Sequence, residues 1–152
     1  MKDSEESLAA GSILIPTTIF VDRTLKILES VVEYLKESKS LSYHEIAALL
    51  NRNDRTIWTA YSRAKKKRQP HVHAALPEQG MPDPVFFPSS ILSDRSVKVF
   101  ERIVEFLRTD KSFTNHQIAV LLNRDDRTVW TIYSRVKKKR NKEKSQKMEG
   151  TP

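Results

Sequence analysis

Residues Leu41 to Arg68 read LSYHEIAALLNRNDRTIWTAYSRAKKKR, and residues Phe113 to Arg140 read FTNHQIAVLLNRDDRTVWTIYSRVKKKR. In each stretch two short helical patterns meet across three residues, Asn51-Arg52-Asn53 and Asn123-Arg124-Asp125. Ser42 with Glu45, and Thr114 with Gln117, have the spacing of a capping box, so a helix is predicted over about Tyr43 to Leu50 and over its counterpart. The next helix is expected to start after Asp54, read as its cap, and to run from Arg55 to about Lys66, with Ile57, Ala60, Tyr61 and Ala64 as its buried stripe. Helices joined by so short a turn cross steeply. Asn51 and Asn123 stand at the bend, and asparagine enters the left-handed conformation more readily than most residues. Ala47 and Ala119 are small where the two helices come closest.

Moving outward from this core, Leu25, Leu28, Val31, Val32 and Leu35 recur at helical spacing and predict a first helix over about Arg23 to Lys36, capped by Asp22. The similarity between the halves extends over Pro16 to Arg68 and Pro88 to Arg140 at a constant offset of 72 residues, and 30 of these 53 positions are identical. The fold class that follows is all-α, with two tandem three-helix helix-turn-helix units joined by a proline-rich linker. The boundaries are an unstructured tail at 1–12, unit one at 13–68, the linker at 69–84, unit two at 85–140 and a basic, unstructured tail at 141–152. Residues 11–16 are read as extended. Each unit has about 55 residues, close to the lower limit for an independent core, so packing of one unit on the other would add stability.

The 152-residue chain has a formal charge of +8, which favours an acidic partner such as nucleic acid. It has no cysteine, which excludes disulfides, thiolate chemistry and cysteine-based zinc sites. No apolar run has the length of a membrane helix, and residues 1–12 are polar and acidic, unlike a secretion signal. A cytoplasmic, nucleoid-associated location is expected. With three glycines in all, no glycine-rich phosphate loop, no nucleophile–base pair and no carboxylate cluster, the chain reads as a non-enzyme without cofactor, metal or small-molecule substrate. His71 and His73 in the linker are too few for a metal site.

The stretch Leu41 to Lys67 resembles the helix-turn-helix of sigma-factor region 4 and its relatives. The shared pattern is Leu41-Ser42-Tyr43, Glu45-Ile46-Ala47, Leu49-Leu50, Thr56-Ile57 and Arg63-Ala64-Lys65, and it covers about half of each unit. Two departures stand out. Arg52 and Arg124 hold a position that is usually apolar, and Trp58 and Trp130 hold an exposed reading position that is usually small or polar. Nothing resembles the promoter-melting part of a sigma factor.

The resemblance implies that the third helix of each unit enters the major groove of duplex DNA. Its reading face would carry Asn53, Arg55, Trp58, Thr59 and Ser62, repeated as Asp125, Arg127, Trp130, Thr131 and Ser134. Arg55 and Arg127 suit a bidentate contact to guanine, Asn53 suits adenine, Asp125 suits a cytosine amino group, and Thr59 and Thr131 suit a thymine methyl. Ser42, His44, Thr114 and His116 at the start of the second helix would face phosphate. Further phosphate contacts are expected from Arg52, Arg63, Lys65, Lys66, Lys67 and Arg68, and from Arg124, Arg135, Lys137, Lys138, Lys139 and Arg140. Part of that basic run also answers the helix dipole.

Trp58 and Trp130 lie at the edge of the buried stripe, so both core closure and contact with DNA or a partner stay open. Two functions follow. The first is a double-stranded DNA-binding protein whose single chain mimics a dimer, with its units about 34 Å apart on successive major-groove faces, acting in transcription regulation or DNA organisation. The second is an adaptor for a protein partner such as RNA polymerase, docked through the tryptophans.

Overall fold

The computed structural model describes residues 12–68 and 83–149. It is mostly helical, with one small sheet. Each half contributes a short strand, a 3-10 turn and three helices. The first half holds β1 (Leu14–Pro16), the turn Thr17–Phe20, α1 (Ile27–Glu37), α2 (Tyr43–Leu50) and α3 (Asp54–Lys67). The second holds β2 (Phe86–Pro88), the turn Ser89–Ser93, α4 (Val99–Thr109), α5 (Asn115–Leu122) and α6 (Asp126–Glu149).

The expected second helix is observed over Tyr43–Leu50, and both capping boxes form. Ser42 accepts from the Glu45 amide at 3.1 Å and Glu45 accepts from the Ser42 amide at 2.8 Å, with Thr114 and Gln117 in the same exchange. Asn51 and Asn123 adopt φ of 57° and 55°. The turn they make lets the Arg52 and Arg124 amides reach back to the Ala47 and Ala119 carbonyls at 2.9 Å, which closes the helix ends.

Three boundaries differ from the sequence reading. Asp22 does not cap α1. It accepts from the Thr24 amide at 2.9 Å in an Asx turn, and α1 starts four residues later than expected, where Glu29 accepts from the Lys26 amide at 3.0 Å. Leu25 is buried all the same, from the loop rather than the helix. Asn53, not Asp54, caps α3, accepting from the Thr56 amide at 2.8 Å. The third helix of the second half continues to Glu149, through much of the segment read as an unstructured tail. Its added turns are charged and carry no apolar stripe, so core periodicity gives no sign of them.

The two halves form one body. β1 and β2 pair antiparallel, with Ile15 opposite Phe87, and both side chains are fully buried. The surrounding bonds repeat at the 72-residue offset. The Thr17 amide donates to Val85 O at 2.9 Å and the Ser89 amide to Ile13 O at 2.7 Å, while the Val85 amide donates to Thr17 Oγ1 and the Ile13 amide to Ser89 Oγ. Phe20 stacks on Phe87 with ring centroids 5.9 Å apart. Each 3-10 turn docks on the other half, Thr17–Phe20 against α5 and Ser89–Ser93 against α2, and α1 meets α4 across the approximate two-fold axis. A single apolar core therefore draws on both repeats. Each fully buried Phe or Ile contributes about 1.5–3 kcal/mol, and Phe20, Ile15, Phe87 and Leu92 could not be buried by either half alone.

Candidate nucleic-acid interface

Helical geometry sorts the basic run at the end of α3. Side chains three or four residues apart share a face, so those aligned with buried Ala60 and Ala64 point inward and those between them point out. Lys67 Nζ lies 2.6 Å from Glu29 Oε1, and Lys139 meets Glu101 at the same distance. Glu29 and Glu101 are almost wholly buried. Burial pushes the Glu101 carboxyl up, but hydrogen bonds from Lys139 and the Lys98 amide outweigh it and leave the group below its ordinary range. Arg68 binds Glu33 at 2.9 Å and also Asp22. Arg140 holds Glu105 at 2.7 Å and Asp94 at 2.9 Å. These four cations, expected on phosphate, instead tie the third helix of each half to the first.

Arg52 and Arg124 also turn inward. Arg124 donates to Leu122 O and Phe20 O at 2.8 Å, the second across the axis, and Arg52 donates to Leu50 O at 2.8 Å. Burial lowers the pKa of both guanidiniums, and like charge adds to it, from Arg95 on Arg52 and from Arg23 on Arg124. Arginine stays charged through such shifts. Both were expected on phosphate, and here their guanidiniums bond main-chain carbonyls. The donors satisfy carbonyls freed at the helix end and, for Arg124, in the opposite half.

The remaining cations face outward. Arg55, Arg63, Lys66, Arg127, Arg135 and Lys138 are exposed and make no ion pair or hydrogen bond among the described residues. Lys65 lies 3.6 Å from Glu37, and Lys137 lies over the Tyr133 ring. Thr59, Ser62, Thr131 and Ser134 are half-buried beside these cations, and Asp125 is exposed. Asn53 spends its side-chain oxygen on the cap, which leaves its amide nitrogen outward. A groove between α1 and α3 is lined by Lys26, Leu28, Asn53, Arg55, Thr59 and Arg63.

Ser42 and Thr114 act as caps, and His44 and His116 face carboxylates. His44 Nδ1 lies 3.3 Å from Asp54 Oδ2, and His116 Nδ1 lies 2.9 Å from Asp126 Oδ2, so each histidine bridges the starts of two consecutive helices. Trp58 is 54% and Trp130 60% exposed, which decides the open question about them in favour of the surface. Tyr61 and Tyr133 pack at the core margin. The Tyr61 hydroxyl donates to Glu37, a bond that with some burial pushes its pKa up to about 12.

Sequence reading passed over one group entirely, namely Arg23, Lys26, Arg95 and Lys98. They gather at the axis only because α1 and α4 meet there. The signal was present, since all four repeat at the 72-residue offset, but they lie outside the motif. His71 and His73 lie outside the described residues. Among the described residues no group of metal-holding side chains occurs, and no helix is long and apolar enough to cross a membrane. No protein family, curated protein or solved structure matches the chain.

Proposed function

We propose that the chain is a double-stranded DNA-binding protein with two helix-turn-helix units, a single-chain equivalent of a two-fold dimer that regulates transcription or organises DNA. The observation that carries this reading is that two equivalent third helices, each with an arginine in its first turn that has no partner among the described residues, are related by the approximate two-fold axis of the paired strands. Duplex DNA has a matching two-fold at every base step, and a rigid pair of reading helices needs no ordering on binding. Arg55 and Arg127 contact base edges in this reading, while Arg63, Lys66, Arg135 and Lys138 contact phosphates. Asp125 in place of Asn53 makes the half-sites non-identical.

The test is fluorescence anisotropy of labelled genomic-fragment and random duplexes across several salt concentrations. A steep salt dependence with a subset of tightly bound fragments supports a sequence-specific reader, and a steep dependence without preference supports an architectural role. No binding at low salt overturns the proposal.

The exposed indoles of Trp58 and Trp130 favour a second reading, an adaptor docked on a protein such as RNA polymerase. Trp58→Ala with Trp130→Ala separates the two. Partner capture is lost in the adaptor reading, whereas in the DNA reading only duplex affinity changes.

A further inference from the structure

The approximate two-fold axis runs through a cleft between the N-terminal ends of α1 and α4. Arg23, Lys26 and Arg52 line it from one half, and Arg95, Lys98 and Arg124 line it from the other. Lys139 adds a seventh cation, and among the described residues no carboxylate lines the cleft. The nearest acids are already engaged: Glu29 and Glu101 by lysines, and Asp22 and Asp94 by Arg68 and Arg140. Arg23 and Arg95 are exposed and have no partner among the described residues. Each also repels the inward arginine of the opposite half, against a smaller opposing pull from Asp94 on Arg52 and from Asp22 on Arg124, so positive charge is concentrated here. The N-terminal ends of two 11-residue helices, where the helix dipole is positive, border the cleft.

The cleft also connects to the reading helices. Lys26 and Leu28 line both the cleft and the groove along α3 that holds Arg55 and Arg63. A positive strip thus runs from the first half's reading helix to the axis. When two helices read successive major-groove faces, the minor groove faces the protein midway between them. A narrow A·T minor groove has an enhanced negative potential that attracts arginine, and its sugar edges give the cleft's Leu25 and Val97 an apolar counterpart.

We propose that the axial cleft docks on the minor groove at the centre of a two-fold DNA site. Arg23 and Arg95 enter the groove from its two strands, and Lys26 and Lys98 hold the flanking phosphates. The centre of the site is then read by shape, independently of the half-sites. This rests on the DNA-binding reading above.

The test uses the full chain and a pool of duplexes randomised at the centre. The expected selection is an A·T-rich centre. Replacing it with G·C weakens binding roughly tenfold, and inosine·C, which lacks the guanine amino group in the minor groove, restores it. Arg23→Ala with Arg95→Ala abolishes the central preference and leaves the half-site preference, whereas Arg55→Ala with Arg127→Ala does the reverse. Both arginine pairs are exposed, and thermal melting of each variant checks that it folds. A wild-type protein that selects half-sites with no central preference overturns the proposal, as does a double variant that keeps the preference intact. Absence of binding to any duplex at low salt would instead overturn the DNA reading itself.

Discussion

The Asn123 side chain donates a hydrogen bond to the Val21 carbonyl at 2.7 Å, across 102 residues of chain, and Asn51 makes the equivalent bond to Ser93 at 3.0 Å. Each asparagine does two things at once. Its backbone takes the left-handed turn that joins two helices, and its amide holds the 3-10 segment of the opposite half. The angle between the helices of one unit is therefore tied to the placement of the other.

Substitution separates these two tasks. Asn123→Gly keeps access to positive φ and loses the cross-unit bond, for an expected cost of about 1 kcal/mol. Asn123→Ala loses both and costs about 2–3 kcal/mol, since alanine adds the left-handed penalty. Chemical denaturation of the two variants checks this ordering. Equal destabilisation would show that the left-handed turn adds no penalty, and an Asn123→Gly variant as stable as the wild type would show that the bond to Val21 contributes nothing.

Thr17 and Ser89 supply the side-chain oxygens that accept from Val85 and Ile13 at the ends of the two-stranded pairing, and both are fully buried. Thr17→Val preserves shape and leaves the part-buried Val85 amide without its acceptor. An expected loss of about 1–3 kcal/mol follows, in a single cooperative transition because the core is shared. Two separate unfolding transitions in the wild type would contradict the shared core.

The basic run predicts a division of labour. Lys66→Ala with Lys138→Ala should reduce the slope of log affinity against log salt by about 2, near 0.9 per lost phosphate contact, with melting temperature almost unchanged. Lys67→Met with Lys139→Met should barely alter that slope but destabilise the fold by about 3 kcal/mol or more, because each leaves a buried glutamate unpaired. Salt-titrated anisotropy beside thermal melting distinguishes the two sets.

Acid should loosen the second half through Asp94. Burial pushes its carboxyl up, but hydrogen bonds from Ser96 and the Arg140 guanidinium prevail and set it at about 2, below the ordinary 3.8. A carboxylate depressed on folding stabilises above its unfolded pKa, and that contribution is lost as pH falls through the folded value. The melting temperature should therefore decline between about pH 4 and pH 2, and Asp94→Asn should flatten part of that decline. An unchanged pH profile in the variant would assign the acid sensitivity to other groups.

The left-handed serines give a stabilising prediction. Ser40 and Ser112 sit at φ of 56° and 58° after the first helix of each half. Glycine at either position removes the steric penalty, and a gain of about 0.5–1 kcal/mol is expected by denaturant titration.

The local structure of each unit was written in adjacent residues. Ser42 with Glu45, Asn51 at the bend and the stripe of Ile57, Ala60 and Ala64 fix two helices and their turn through bonds that span four or five residues, so they can be read along the chain. The direction of each cation in the run Arg63 to Arg68 was harder to read. Net charge favours phosphate for all of them, but the carboxylates that claim Lys67 and Arg68 lie 35 to 46 residues away. Asp22 misled for the same reason. Its distant partner Arg68 and a local Asx turn displaced the cap that its position suggested.

The repeat, the helices and the exposed arginines of the third helix are legible along the chain, because helix periodicity, capping and side-chain type act over a few residues. The shared core of the two halves, the bonds of Arg52 and Arg124 to carbonyls, and the meeting of Arg23 and Arg95 at an axis come from long-range packing. Those outcomes depend on the pairing of Leu14–Pro16 with Phe86–Pro88. Three residues in each strand are too few to announce a sheet, and their partner is set by which apolar surfaces, Phe20 and Ile15 against Phe87 and Leu92, can be buried together.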